Sequence, residues 1–194
     1  MNLPNQLTVA RFFLTIVFVA ALSSEWRFGY TVGLVVFIAA GVTDYFDGVI
    51  ARRRNLVTDF GKLMDPLADK IMIAAAFICL VPLHALPAWA AIVIISREFL
   101  ITGLRLLAAS KGVVLPSERL GKHKTAWQIV TVIYFLILLA LAEWEGAGLI
   151  PATLLTWWPQ AWLYGHALVG LTLALTLYSG FGYLWKHRAL IASA

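Results

Sequence analysis

The sequence predicts an all-α integral membrane protein with six transmembrane helices and a short N-terminal interfacial helix. Three observations carry that expectation: a composition too apolar for a water-soluble globule, a series of long apolar runs, and an alternation of charge between the segments that join them. Of 194 residues, 61% are hydrophobic and 13% charged, and the mean hydropathy is +0.85. Soluble domains carry about 25% charged residues, so the polar surface needed to coat a 21.4 kDa globule is missing. This excludes a disordered chain, a disulfide-stapled secreted scaffold and an ordinary soluble enzyme. The one cysteine, Cys79, sits inside the apolar run IMIAAAFICLV, so no intramolecular disulfide can form.

The apolar runs cover about 7–23, 30–51, 62–81, 87–109, 123–142 and 160–185, each close to the ~20 residues a helix needs to cross a bilayer. A membrane β-barrel would show alternating segments of about ten residues instead. Ahead of the first run, MNLPNQLTVARFF leads to no A-x-A-like cleavage site, so that run is expected to stay in the mature protein. Pro4 suits the first turn of a short helix lying at the membrane surface. The second run opens on Gly29-x-x-x-Gly33, a spacing that lets helices approach closely. The second, third and fourth runs each contain ionisable residues, which a span tolerates only where they face protein or a wet cavity. No repeat, low-complexity tract or linker divides the chain, so one domain over 1–194 is expected.

Charge orients these spans. The connections after the first, third and fifth runs hold Glu25, Arg27, His84, Glu143 and Glu145. Those after the second and fourth hold Arg52, Arg53, Arg54, Lys111, Arg119 and Lys122, and the C-terminal tail adds Lys186 and Arg188. The positive-inside rule places both termini and the even-numbered connections in the cytoplasm. Trp26, Trp89, Trp144, Trp157, Trp158 and Trp162 then fall near the outer interface as an aromatic belt. The net charge of +5 follows the membrane boundaries and no nucleic-acid module. Anionic lipid and phosphorylated substrates are the expected partners, and nucleic acid is not.

The chemistry concentrates in VTDYFDGVIARRRNLVTDFGKLMDPLADK, residues 42–70. Asp44 and Asp47 are three apart and share a helix face with Gly48 and Ala51; Asp65 and Asp69 are four apart, with Gly61 one turn before Asp65. A chain reversal around Arg52–Asp59 lets the two faces meet near the cytoplasmic boundary. Four carboxylates brought together cannot all ionise without counter-charge. Two divalent cations supply it, and an all-oxygen ligand set with no cysteine–histidine cluster favours Mg²⁺ or Mn²⁺ over zinc. The plainer reading is that these acids reach water at helix ends or pair with Arg52–Arg54. Thr58 suits a phosphate hydroxyl donor, and equally a helix cap.

Asp44-x-x-Asp47-Gly48-x-x-Ala51-Arg52, followed after eight residues by Gly61-x-x-x-Asp65-x-x-x-Asp69, resembles the CDP-alcohol phosphotransferase motif at every fixed position. The resemblance implies that family's six-helix membrane fold and the transfer of a phosphatidyl-type group from a CDP-linked donor to an alcohol, with release of CMP. It implies that Asp44, Asp47, Asp65 and Asp69 bind a two-metal centre, with Asp69 also the general base. It further implies that Gly48 and Ala51 admit the cytidine, that Arg52 contacts the pyrophosphate and that Thr58 donates to a phosphate. A homodimer is common in the family.

Two more stretches narrow the acceptor. Asn2-Leu3-Pro4-Asn5-Gln6-Leu7-Thr8 with Arg11 resembles the opening of bacterial members of this family that act on glycerol 3-phosphate, which implies nucleotide contacts for Asn5 and Thr8. Arg97-Glu98-Phe99 with Thr102-Gly103-Leu104-Arg105, then Gly121-Lys122-His123-Lys124-Thr125 with Gln128, resembles the same subgroup; Leu115-Pro116 departs from its small residues. Arginine this deep in a span needs a partner or a wet cavity. Arg97, Arg105, Lys122 and Lys124 could together form a pocket for a second anion, as an acceptor bearing its own phosphate requires. Glu98, off the face of Arg97, is free to neutralise a base on another helix.

The expected partners are therefore CDP-diacylglycerol, sn-glycerol 3-phosphate and membrane lipid, at the cytoplasmic face of the bacterial inner membrane. Inositol phosphate, serine or phosphatidylglycerol are the alternative acceptors. A divalent-cation transporter is the alternative from another class, but it would place its acids at mid-membrane with broken helices or repeats.

Overall fold

A computed structural model describes the backbone of residues 3–54, 59–110, 112–113 and 119–188, and the side chains of 9–43, 67–68, 70–110, 112–113 and 123–188. Among the described residues there are six α-helices and no strand: α1 (Leu3–Ser23), α2 (Gly29–Arg54), α3 (Asp59–Leu80), α4 (Ala88–Ser110), α5 (Arg119–Gly146) and α6 (Trp158–Lys186). A single 3₁₀ turn, Ala152–Leu155, precedes α6. Proline marks the entries to these helices. Pro4 lies in the first turn of α1, Pro87 precedes α4, and α6 carries proline in its first turn, where the missing N–H is not needed.

Two expectations change. No separate interfacial helix precedes the first span: α1 is continuous from Leu3, because no helix breaker follows Pro4 before Ser23. Helix ends also reach into the expected connections: α2 runs on to Arg54 and α5 spans Arg119–Gly146, so Arg52, Arg53, Arg54, Arg119, Lys122, Glu143 and Glu145 are helix residues. By length and apolarity, His123–Gly146 and Trp158–Lys186 are long enough to cross a membrane. Val9–Ser23, Gly29–Thr43 and Lys70–Leu80 are shorter apolar stretches among the described residues. Their helices continue into the charged segments, and α4 carries Arg97, Glu98 and Arg105 along its length.

The helices form two four-membered circuits that share α3 and α5. In the first, α1 packs on α2 and α3, and α5 closes the ring against both. In the second, α3, α4, α6 and α5 pack in turn around a common centre. At the end where α1 leads into α2 the core is apolar and aromatic, built on Phe18, Phe37, Phe77, Leu80, Ile94, Phe135 and Leu136. Phe18 and Phe37 lie with ring centroids 5.8 Å apart. The Gly29-x-x-x-Gly33 spacing does bring helices together: a Cβ at Gly29 would strike the carbonyl of Ala21, and one at Gly33 the side chain of Leu22.

The same end carries a cap from a distant helix. Glu143 of α5 accepts hydrogen bonds from the backbone N–H of Tyr30 at 2.7 Å and of Thr31 at 2.8 Å, and from the Thr31 hydroxyl at 2.8 Å. Trp144 Nε1 donates to the same hydroxyl at 3.0 Å. The first N–H groups of α2 have no partner within their own helix, and a carboxylate there also meets the positive end of the helix dipole. Glu143→Ala is expected to destabilise the fold by about 1–3 kcal/mol, the usual cost of leaving such donors without a charged acceptor. Thermal unfolding in detergent checks this, with Glu143→Gln expected to fall between the variant and the parent.

Candidate active site

Toward the other end of the helices the interior turns polar. On α6 the buried face reads Ala161, Gly165 and Val169 in its first half, then Thr172, Thr176, Ser179, Gly180 and Tyr183. Thr131 and Thr172 share a hydrogen bond at 2.9 Å across the α5–α6 seam. Hydroxyls elsewhere bond back to their own helix, as Thr15 does to the Arg11 carbonyl at 2.9 Å and Thr102 to that of Glu98 at 2.8 Å.

The centre of the second circuit is the carboxylate of Glu98, only 7% exposed. Its Oε2 accepts from Lys70 Nζ of α3 at 3.0 Å. Its Oε1 accepts from Gln128 Nε2 of α5 at 3.3 Å, from Arg97 Nη1 at 3.5 Å, and from Lys124 Nζ. Glu98 thus neutralises bases on other helices, and it does so on two at once. The space left beside it, lined by Lys70, Ile73, Thr125 and Gln128, is about 10 Å³, room for one water at most.

Arg97 and Arg105 lean on α6. Arg97 Nη2 donates to Ser179 Oγ at 3.1 Å, and its Cγ lies 3.0 Å from where a Cβ on Gly180 would stand. Arg105 Nε donates to Tyr183 Oη at 3.2 Å, with the guanidinium carbon 5.3 Å from that ring's centroid. Tyr183 in turn packs at a tilt against His187, with ring centroids 4.6 Å apart. Of the four expected acceptor bases, Arg97 and Lys124 therefore meet through Glu98, while Arg105 lies two turns further along α4 against Tyr183. Lys122 is in the first turn of α5, and its side chain is outside the described ones.

The remaining expected residues are placed by backbone alone. Asn5 and Thr8 are in α1, Asp44, Asp47, Gly48, Ala51 and Arg52 in α2, and Asp65 and Asp69 in α3; their side chains are outside the described ones. Thr58 lies outside the described residues altogether. Both aspartate pairs sit within continuous helix, so each pair holds one face. Among the described residues no three acids, cysteines or histidines gather as a metal site. The donor set that could hold a metal is the four aspartates, whose hard oxygen ligands suit Mg²⁺ or Mn²⁺.

Lys70 and Tyr183 near this site carried little signal in the sequence, and Arg11 stood out only within the N-terminal resemblance. Lys70 gives its ammonium to Glu98, and its only mark in the chain is its place directly after Asp69. Arg11 is 2% exposed on α1, one turn before Thr15, whose hydroxyl meets Met72 Sδ at 3.7 Å. That register sets Arg11 level with the α3 turn that precedes Met72, the turn carrying Ala68 and Asp69. Tyr183 had no signal beyond being an aromatic in an apolar run.

A family model described as CDP-alcohol phosphatidyltransferase matches residues 1–178. A Bacillus subtilis (strain 168) protein named CDP-diacylglycerol--glycerol-3-phosphate 3-phosphatidyltransferase is 45% identical over 148 residues, covering 70% of this chain and 77% of its own length. Proteins of the same name from Rickettsia felis and Pseudomonas fluorescens are 35% and 36% identical, covering 94% and 96% of this chain and 93% and 92% of their own.

The packing of α6 on Arg97 makes a stability test. Gly180→Val is expected to drive a branched side chain into the Arg97 stem and lower the unfolding temperature in detergent. Gly182→Ala, with nothing within 4 Å of the new Cβ, is expected to leave it unchanged or raise it, since alanine is favoured over glycine in a helix by about 1 kcal/mol.

Proposed function

The chain belongs to the CDP-alcohol phosphatidyltransferase family, and from that premise we propose that it transfers the phosphatidyl group of CDP-diacylglycerol to sn-glycerol 3-phosphate. The products are phosphatidylglycerophosphate and CMP. The observation that carries the acceptor choice is the set of bases on α3, α4 and α5 gathered at Glu98. An acceptor with its own phosphate needs cations held away from water, and this group of bases meets that need. The names of the relatives point the same way.

In this reading Asp44, Asp47, Asp65 and Asp69 hold two divalent cations, Mg²⁺ or Mn²⁺. When bound, such ions neutralise the donor pyrophosphate and stabilise the leaving CMP. Asn5, Thr8, Gly48, Ala51, Arg52 and Thr58 bind the donor, the two small residues leaving room for the cytidine. Arg97, Arg105, Lys122 and Lys124 bind the acceptor phosphate, and Asp69 removes the proton from the acceptor's primary hydroxyl. That oxygen forms a bond to the phosphorus that carries diacylglycerol, and the bond from that phosphorus to the bridging oxygen breaks, its electron pair leaving with CMP. Both alcohol and donor are charged at the head, so the site lies at the cytoplasmic boundary of six membrane-spanning helices, with both termini in the cytoplasm. The lipid product remains in the bilayer.

Purified protein in detergent, given CDP-diacylglycerol, Mg²⁺ and a panel of acceptors, tests the proposal by CMP release. Turnover is expected with glycerol 3-phosphate, and turnover only with inositol phosphate, serine or phosphatidylglycerol would overturn the acceptor. Chelation by EDTA is expected to abolish release, and added Mg²⁺ or Mn²⁺ to restore it. Asp69→Asn is expected to cut the rate by about 10²–10⁴, the span of a lost general base, while donor binding is largely kept.

A further inference from the structure

Glu98 holds a place that no role in the reaction accounts for. It is a buried acid among the very bases that would bind an anionic acceptor, and an acid there weakens their pull on an anion. Its geometry offers a reason. One carboxylate oxygen binds Lys124 and Gln128 of α5 and Arg97 of its own helix; the other binds Lys70 of α3. Lys70 follows Asp69 directly, so the Glu98–Lys70 pair ties α4 to the turn of α3 that bears the proposed base. Arg97 is held from its other side by Ser179.

We propose that Glu98 is a positioning residue, one that holds Arg97 and Lys124 in register with the α3 turn carrying Asp69. The proposal rests on the functional reading above, in which Arg97 and Lys124 bind the acceptor phosphate. Two flexible cationic side chains brought close inside a low-dielectric bundle repel each other, and each has many rotamers to lose. A shared carboxylate holds both in one geometry before the acceptor arrives. The sacrifice in positive charge is offset by that preorganisation, because binding no longer has to order the side chains. Since the same carboxylate grips Lys70, the acceptor's phosphate and its hydroxyl are held by parts that cannot slide relative to each other.

The test is steady-state kinetics on Glu98→Gln, which keeps size and one acceptor oxygen but removes the charge. KM for glycerol 3-phosphate is expected to rise at least tenfold while KM for CDP-diacylglycerol stays within about twofold. Glu98→Asp, with the charge restored one methylene short, is expected to recover part of that loss. In a double-mutant cycle, Glu98→Gln and Lys124→Gln are expected to be non-additive in acceptor KM, as residues acting through one contact are. An unchanged acceptor KM in Glu98→Gln, or equal losses in both KM values, would overturn the positioning role. If Glu98→Gln does not fold, Gln128→Met removes one donor from the same oxygen. It is expected to raise acceptor KM about threefold, and no change would overturn the role. Absence of turnover by the parent protein with glycerol 3-phosphate, alongside turnover with a neutral alcohol, overturns the functional reading and the positioning role with it. Parent turnover with an insensitive Glu98→Gln removes the positioning role alone.

Discussion

A charged carboxylate is tolerated out of water only if cations are brought to it, and the polar half of this bundle is organised around that requirement. Glu98 recruits Lys70 from α3, Lys124 and Gln128 from α5, and Arg97 from its own helix. Removing one partner from such a group leaves an uncompensated buried charge, which costs far more than the intact group contributes. The consequence is cooperative: α3, α4 and α5 are locked together at one level. The membrane-embedded part of the chain can therefore keep several bases in its interior, where a lone lysine would instead reach for the interface.

The two ends of the bundle solve the same packing problem with different materials. At the apolar end, glycines at 29 and 33 let α1 and α2 approach closely, aromatic rings fill the core, and Glu143 caps α2 from across the bundle. Dispersion and one charged cap suffice there. At the polar end the same α6 face that is Ala161, Gly165 and Val169 in its first half becomes Thr172, Thr176, Ser179 and Tyr183 in its second. Two of them, Ser179 and Tyr183, give the arginines of α4 neutral partners without adding charge. A rigid apolar half thus anchors helices whose other half is committed to polar chemistry.

The six helices were legible from apolar runs of span length, and their order and number hold among the described residues. The boundaries were legible except where a charged residue belongs to a helix, as Glu143 does, because charge near a span end reads equally as a loop. The interfacial helix was misread because Pro4 starts a short helix and a long one with the same signature. The aspartate pairs stood out by spacing alone, since helix geometry converts i, i+3 and i, i+4 directly into a shared face. What could not be read was the partner choice of single bases. Lys70, Arg11 and Tyr183 owe their places to which helices neighbour which, and that depends on the circuit of α3, α4, α5 and α6, not on any local pattern. Arg97 and Arg105 were visible as costly residues, but not the α6 side chains that hold them.

The arginines also show why the last helix matters although its sequence looks generic. Arg97 uses its whole side chain: the methylene stem lies against Gly180, and the guanidinium spans from Glu98 to Ser179. Arg105 uses the edge and face of its fork on Tyr183. A lysine has neither the planar fork nor the stacking surface to do either. The missing side chain at Gly180 and the hydroxyls at 179 and 183 are therefore complementary to arginine in particular. They sit one helical turn apart on α6, as Arg97 and Arg105 sit two turns apart on α4. The specificity of that match resides in small and neutral residues, which is why composition and charge pattern, so informative elsewhere in this chain, pass over it.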